Sequence, residues 1–160
     1  GVDALADARN SFNALTAGLD RRAMVERLLA FFQSIPYDAL QTRYADFAGA
    51  GFALPVALFA QNRGDCDTKS VAMASVLQML APDMGVAMLL LDGAAGEDGH
   101  ALLAVELPPQ AGDRTIAIDG EDWVLIEPTG PLKARVGATG PQTDAMMRDN
   151  VTILPLFDAA

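Results

Sequence analysis

Apolar positions recur every three or four residues through the first half of the chain, then give way to continuous or alternating runs. From Asp3 to Ala17, Leu5, Ala8, Phe12 and Leu15 fall on one helical face, and Gly18 ends the segment. Asp20 is a capping residue type ahead of a second helix whose face is Val25, Leu28, Leu29 and Phe32. Pro36 stops that helix, because the residue before a proline is biased out of helical geometry. Between Tyr37 and Phe59 the period is lost. Tyr44, Phe47, Phe52, Leu54 and Leu58 are scattered among Gly49, Gly51 and Pro55, which predicts a loop or short turns. Val71 to Leu80 is apolar almost throughout and reads as a buried helix, closed by Pro82 and Gly85.

Everything beyond reads as strand. Val86 to Leu91 is a continuous apolar run suited to a central strand, and Ala101 to Leu107 is a second run stopped by Pro108-Pro109. Between them, Asp92 to Gly99 is rich in glycine and acid and reads as a loop. Residues 115–118 and 123–126 flank Asp119-Gly120-Glu121-Asp122 as a hairpin with a four-residue turn region, and Val151 to Leu154 is a short last strand. Pro131 to Asn150 reads as loop. Helices first and an antiparallel sheet afterwards make the fold class α+β.

Composition narrows the partners. The chain has 160 residues, enough for one domain with a sizeable core, and no internal repeat or linker divides it. Acidic residues outnumber basic ones 21 to 11, for a net charge of -10. That balance repels nucleic acid and anionic membranes, whose affinity for proteins comes from Lys and Arg. A single cysteine excludes an internal disulfide and a cysteine-rich zinc site. No apolar run reaches the roughly 18 residues of a spanning helix, so this segment does not insert into a membrane. The chain starts Gly1-Val2 and is expected to be a fragment of a longer one. If an upstream targeting segment has been removed, the location would be extracytoplasmic, periplasmic or membrane-anchored.

The chemistry gathers around Arg63-Gly64-Asp65-Cys66-Asp67-Thr68-Lys69, where a loop runs into the apolar helix. Asp65 as cap puts Cys66 in the first turn, where unpaired N–H groups and the helix dipole favour a thiolate. The bland alternative is a buried inert thiol. His100, the one histidine, stands at the head of a strand, and Glu127 follows the apolar end of another. Each taken alone is an ordinary core or surface residue. Together with Cys66 they make a nucleophile, a base and a group that orients the base. The oxyanion of acyl transfer needs donors, for which the backbone N–H of Cys66 and the side chain of Gln61 or Asn62 are candidates. Trp123 reads as core. Asp65, Asp67, Asp92, Glu97 and Asp98 lack the spacing of a calcium loop and read as solvated acids, so neither a metal nor a cofactor is expected.

Gln33-Ser34-Ile35-Pro36-Tyr37, Gly64-Asp65-Cys66 with its helix, Gly99-His100-Ala101, and Trp123 through Thr129 resemble the transglutaminase-like cysteine peptidase superfamily. The resemblance spans roughly residues 25–130 and implies a papain-like fold. By position, Cys66 matches that family's nucleophile, His100 its general base and Glu127 its third member. The family usually has Asp at the third place, and Glu is one methylene longer. The resemblance implies a thiol-dependent acyl-transfer enzyme acting on a protein or peptide. Hydrolysis as a cysteine peptidase or amidase is favoured, because the likeness is to small bacterial-type domains of that description. The alternatives are a protein-glutamine transglutaminase and a non-catalytic domain that binds a peptide or partner.

Overall fold

In the computed structural model, residues 2–39, 55–93, 99–129, 133–148 and 150–157 are described. The two opening helices are α1, Val2–Thr16, and α2, Arg21–Ser34. Asp20 caps α2 by accepting from the Ala23 amide, and the extended backbone of Ile35 ends it before Pro36. A third short helix, α3, Pro55–Gln61, stands where the lost periodicity predicts turns. It begins on a proline, whose missing N–H costs nothing at a first helical position. At seven residues it is too short to repeat an apolar spacing. The rest of the irregular stretch, 40–54, lies outside the described residues.

Helix α4, Cys66–Leu80, has more buried residues than any other described helix, among them Ala72, Met73, Ala74, Val76 and Leu77. It packs against strands β1, Val86–Leu91, and β2, His100–Val105, and is flanked by the other long helices. The sequence pattern also points Ser75 at the core, but its side chain is exposed and its hydroxyl donates back to the Val71 carbonyl.

After β2 come β3, Thr115–Ile118, β4, Glu121–Ile126, the short helix α5, Pro141–Met146, and β5, Val151–Phe157. The sheet order is β3-β4-β2-β1-β5, with every pairing antiparallel. The β3–β4 turn is tighter than four residues. Asp119 and Gly120 both have positive φ, at 53° and 88°, and Glu121 and Asp122 already belong to β4. Helix α5 interrupts the stretch 131–150, which the sequence alone renders as loop. One core lies between the helices and one sheet face; a second, built on Leu89, Leu102, Trp123 and Leu125, lies on the opposite face. Trp123 sits there as a core residue, packed so closely over Gly85 that an added Cβ would lie 2.4 Å from its ring.

Candidate active site

The antiparallel pairing of β2 with β4 decides which acid can meet His100. Leu103 lies opposite Ile126, so the start of β2 and the end of β4 share one end of the sheet. His100 opens β2 and Glu127 follows β4, and His100 Nε2 lies 2.8 Å from Glu127 Oε1. Glu106 sits at the other end of β2, where its carboxylate accepts from the Gly85 amide.

Helix α4 brings Cys66 to the same end. Asp65 caps the helix by accepting from the Thr68 amide at 2.9 Å. Ahead of it, the Gly64 amide donates to the Pro36 carbonyl and the Asp38 amide donates to Gly64 O, so the segment after α2 runs beside the loop that leads into Cys66. An added Cβ on Gly64 would stand 2.9 Å from Leu58 Cδ1, which explains a glycine at this approach. Lys69, one turn past Cys66, is fully buried, and its ammonium donates to the Ile35 carbonyl. Burial pushes its pKa down.

Cys66, His100 and Glu127 line one cavity of about 630 Å³, with Gln33, Ile35, Tyr37, Thr129 and the segment Gly140–Thr143 among the other walls. Gln61 and Asn62, the side chains suggested as oxyanion donors, do not line it. Both are exposed at the end of α3, where Asn62 adopts a positive φ of 51° as the helix ends. Among the described residues, no group of three or more His, Cys, Asp or Glu is arranged to hold a metal ion.

The Cys66 thiol differs from the thiolate expected at a helix start. Burial first, and then the charge of Asp67, push its pKa up to about 12. The thiol donates to Asp67 Oδ1 at 3.3 Å, a bond that favours the protonated form. A hydrogen bond from the Ala101 backbone, next to His100, pulls the other way and is outweighed. The helix dipole is thus offset by two acids beside the sulfur, Asp65 and Asp67.

Glu127 is held more completely than its place in the sequence suggests. Its Oε1 accepts from His100 Nε2 and, at 2.8 Å, from Thr143 Oγ1; its Oε2 accepts from the Gly140 amide at 3.0 Å. Burial works to raise its pKa, and these three donors together outweigh burial and hold it below the ordinary carboxylate value. Gln33 fixes the backbone here, its Nε2 donating to the carbonyls of Glu127 at 3.0 Å and Ala134 at 2.9 Å. A signal for Gln33 exists in the sequence: it stands four residues after Leu29 and so extends the buried stripe of α2. Thr143 and Gly140 carry no such signal, since only the fold brings 140–143 back to Glu127.

A scan against protein-family models matches none, and a search of the curated proteins finds no match. Solved structures do match. One of Legionella pneumophila LapG is 12% identical, covers 96% of this chain and 74% of that one, and aligns with a TM-score of 0.55. Calcium-bound LapG from the same organism is 10% identical over 93% of this chain and 70% of that one, at a TM-score of 0.56. The fold is transglutaminase-like. At these identities the likeness is one of architecture. The transglutaminase-like fold sets the nucleophile candidate at the head of a helix and the base and acid candidates on neighbouring strands packed against it. Among the described residues, no helix is long and apolar enough to cross a membrane.

Proposed function

We propose that this chain is a thiol-dependent acyl-transfer enzyme, a cysteine peptidase or amidase in which Cys66 is the nucleophile, His100 the general base and Glu127 the group that orients His100. The observation that carries this reading is the 2.8 Å contact between His100 Nε2 and Glu127 Oε1 in a cavity that Cys66 also lines. An ionised carboxylate can only accept, so the proton of that bond belongs to His100 Nε2. The neutral ring then keeps Nδ1 as its acceptor.

In the first step the Cys66 proton passes to His100 Nδ1 as sulfur attacks a carboxamide carbonyl, and the carbonyl electron pair moves to oxygen. The backbone N–H of Cys66, at the first position of α4 and so without a partner inside the helix, is a donor for that oxyanion. The intermediate collapses with loss of the C–N bond, and the imidazolium gives its proton to the leaving amine. Water then attacks the thioester while His100 takes its proton, and the acid is released as the thiol is restored. Burial and the charge of Asp67 push the thiol pKa up to about 12, so the resting sulfur keeps its proton and His100 takes it as attack begins.

Incubation with a thiol-directed peptide electrophile, read by mass spectrometry, tests this. Cys66 is the one thiol, so a single adduct identifies the site. The wild-type chain should label at neutral pH, Cys66→Ser not at all, and His100→Ala about 10²–10⁴-fold more slowly. Equal labelling rates in wild type and His100→Ala would make Cys66 an ordinary thiol and leave a peptide-binding domain as the reading.

A further inference from the structure

The carboxylate of Glu127 receives donors from a segment that lies beyond the residues assigned to catalysis. Thr143 Oγ1 donates to the same oxygen that accepts from His100, and the Gly140 amide donates to the other, at 2.8 and 3.0 Å. Thr143 is 3% exposed, so no solvent competes for its hydroxyl. The segment is itself anchored. Thr139 Oγ1 and Arg114 both reach Asp144 Oδ1, and Arg135 reaches Asp113 Oδ1, tying 135–144 to the loop after β2 and to the start of β3.

A glutamate carries one more rotatable bond than an aspartate, so an unsupported Glu127 carboxylate would turn and translate beneath the imidazole. Two donors on two oxygens remove that freedom. We propose that Thr143 is a positioning residue which, with the Gly140 amide, clamps the Glu127 carboxylate and so holds His100 with its proton on Nε2 and its Nδ1 free. The clamp also compensates for the longer acid. It gains its catalytic meaning from the acyl-transfer reading above, but the geometry it predicts at the imidazole is readable without any activity.

His100 is the one imidazole in the chain, so nitrogen-15 NMR of untagged protein reports this site alone. The wild type should show a downfield Nε2-bound proton protected from water. In Thr143→Val, which keeps the shape and removes the donor, that proton should exchange about tenfold faster, the scale of one hydrogen bond to a charged group. Thr143→Ser should restore the wild-type rate. Gly140→Pro removes the other donor at a φ of -74° that proline adopts, and should likewise speed exchange. With peptide substrate, Thr143→Val should lower kcat about tenfold with little change in KM, and Ser should rescue it. Unchanged exchange in both Thr143→Val and Gly140→Pro would overturn the clamp, whatever the activity. Faster exchange in a wild-type-like fold that never labels or turns over substrate would keep the clamp and defeat the enzymatic reading.

Discussion

Asp67 sets the state of the Cys66 thiol more directly than the helix does. Its carboxylate lies next to the sulfur in sequence, accepts the thiol proton and adds negative charge, so both of its effects favour the neutral thiol, behind burial as the leading cause. Asp67→Asn removes the charge and weakens the acceptor. The thiol pKa should fall from about 12, and iodoacetamide alkylation at pH 8 should accelerate, by about tenfold for each unit of the fall. An unchanged rate against pH would assign the raised pKa to burial alone. That Cys66, His100 and Glu127 share one place was legible in the sequence. They stand out as the one thiol, the one imidazole and a carboxylate at a strand end, and the structure brings them to one cavity. The protonation of Cys66 was not legible, because burial is a property of the folded surroundings and not of the loop's composition. Gln61 and Asn62 misled because nearness in sequence to a helix start does not say on which side of the helix a residue falls.

The two periodic helices and the apolar strand runs fall at or near their predicted places, and the short helices do not. Strands β1 and β3 start and end where the apolar runs do. The short helices α3 and α5 begin on prolines and hold too few turns to show a repeat. Between β4 and α5 the chain turns at Gly137, whose φ is 77°, and an added Cβ would lie 2.1 Å from Asp113 Oδ1. Gly137→Ala therefore meets backbone strain and a clash with a carboxylate that is itself held in place. Its cost should be about 1–3 kcal/mol, measured from the urea midpoint. Because Thr143 hangs from the same segment, the variant should also loosen the Glu127 clamp. A melting curve equal to wild type would show that this turn is not fixed by Asp113.

Across the whole molecule, one buried acid ties distant parts together. Asp113, with its side chain 1% exposed, accepts from Arg22 on α2 and from Arg135 beyond β4. Burial works to raise its pKa, and the Gln110 amide and the two guanidinium groups outweigh burial and hold it below the ordinary carboxylate value. Glu127 is depressed as well, by its own three donors. A group with a depressed folded pKa adds stability above its unfolded value, and that stability is lost as pH falls through the folded one. The urea midpoint should therefore drop between pH 6 and pH 3. Asp113→Asn should begin lower and lose less over that interval; an equal acid loss would place the sensitivity elsewhere. None of this tie could be read along the chain, since Arg22, Asp113 and Arg135 share no period or motif.

The order of the pieces along the polypeptide has a consequence for its biogenesis. Cys66 and His100 leave the ribosome first, while Glu127 and Thr143 follow a few seconds later at ordinary rates of synthesis. Until strand β4 has zipped onto β2, the imidazole has no acid partner, and until α5 has folded back, that acid has no support. A nascent chain carrying its thiol and histidine thus lacks the completed cavity, which arrives with the closing of the sheet rather than with the synthesis of Cys66.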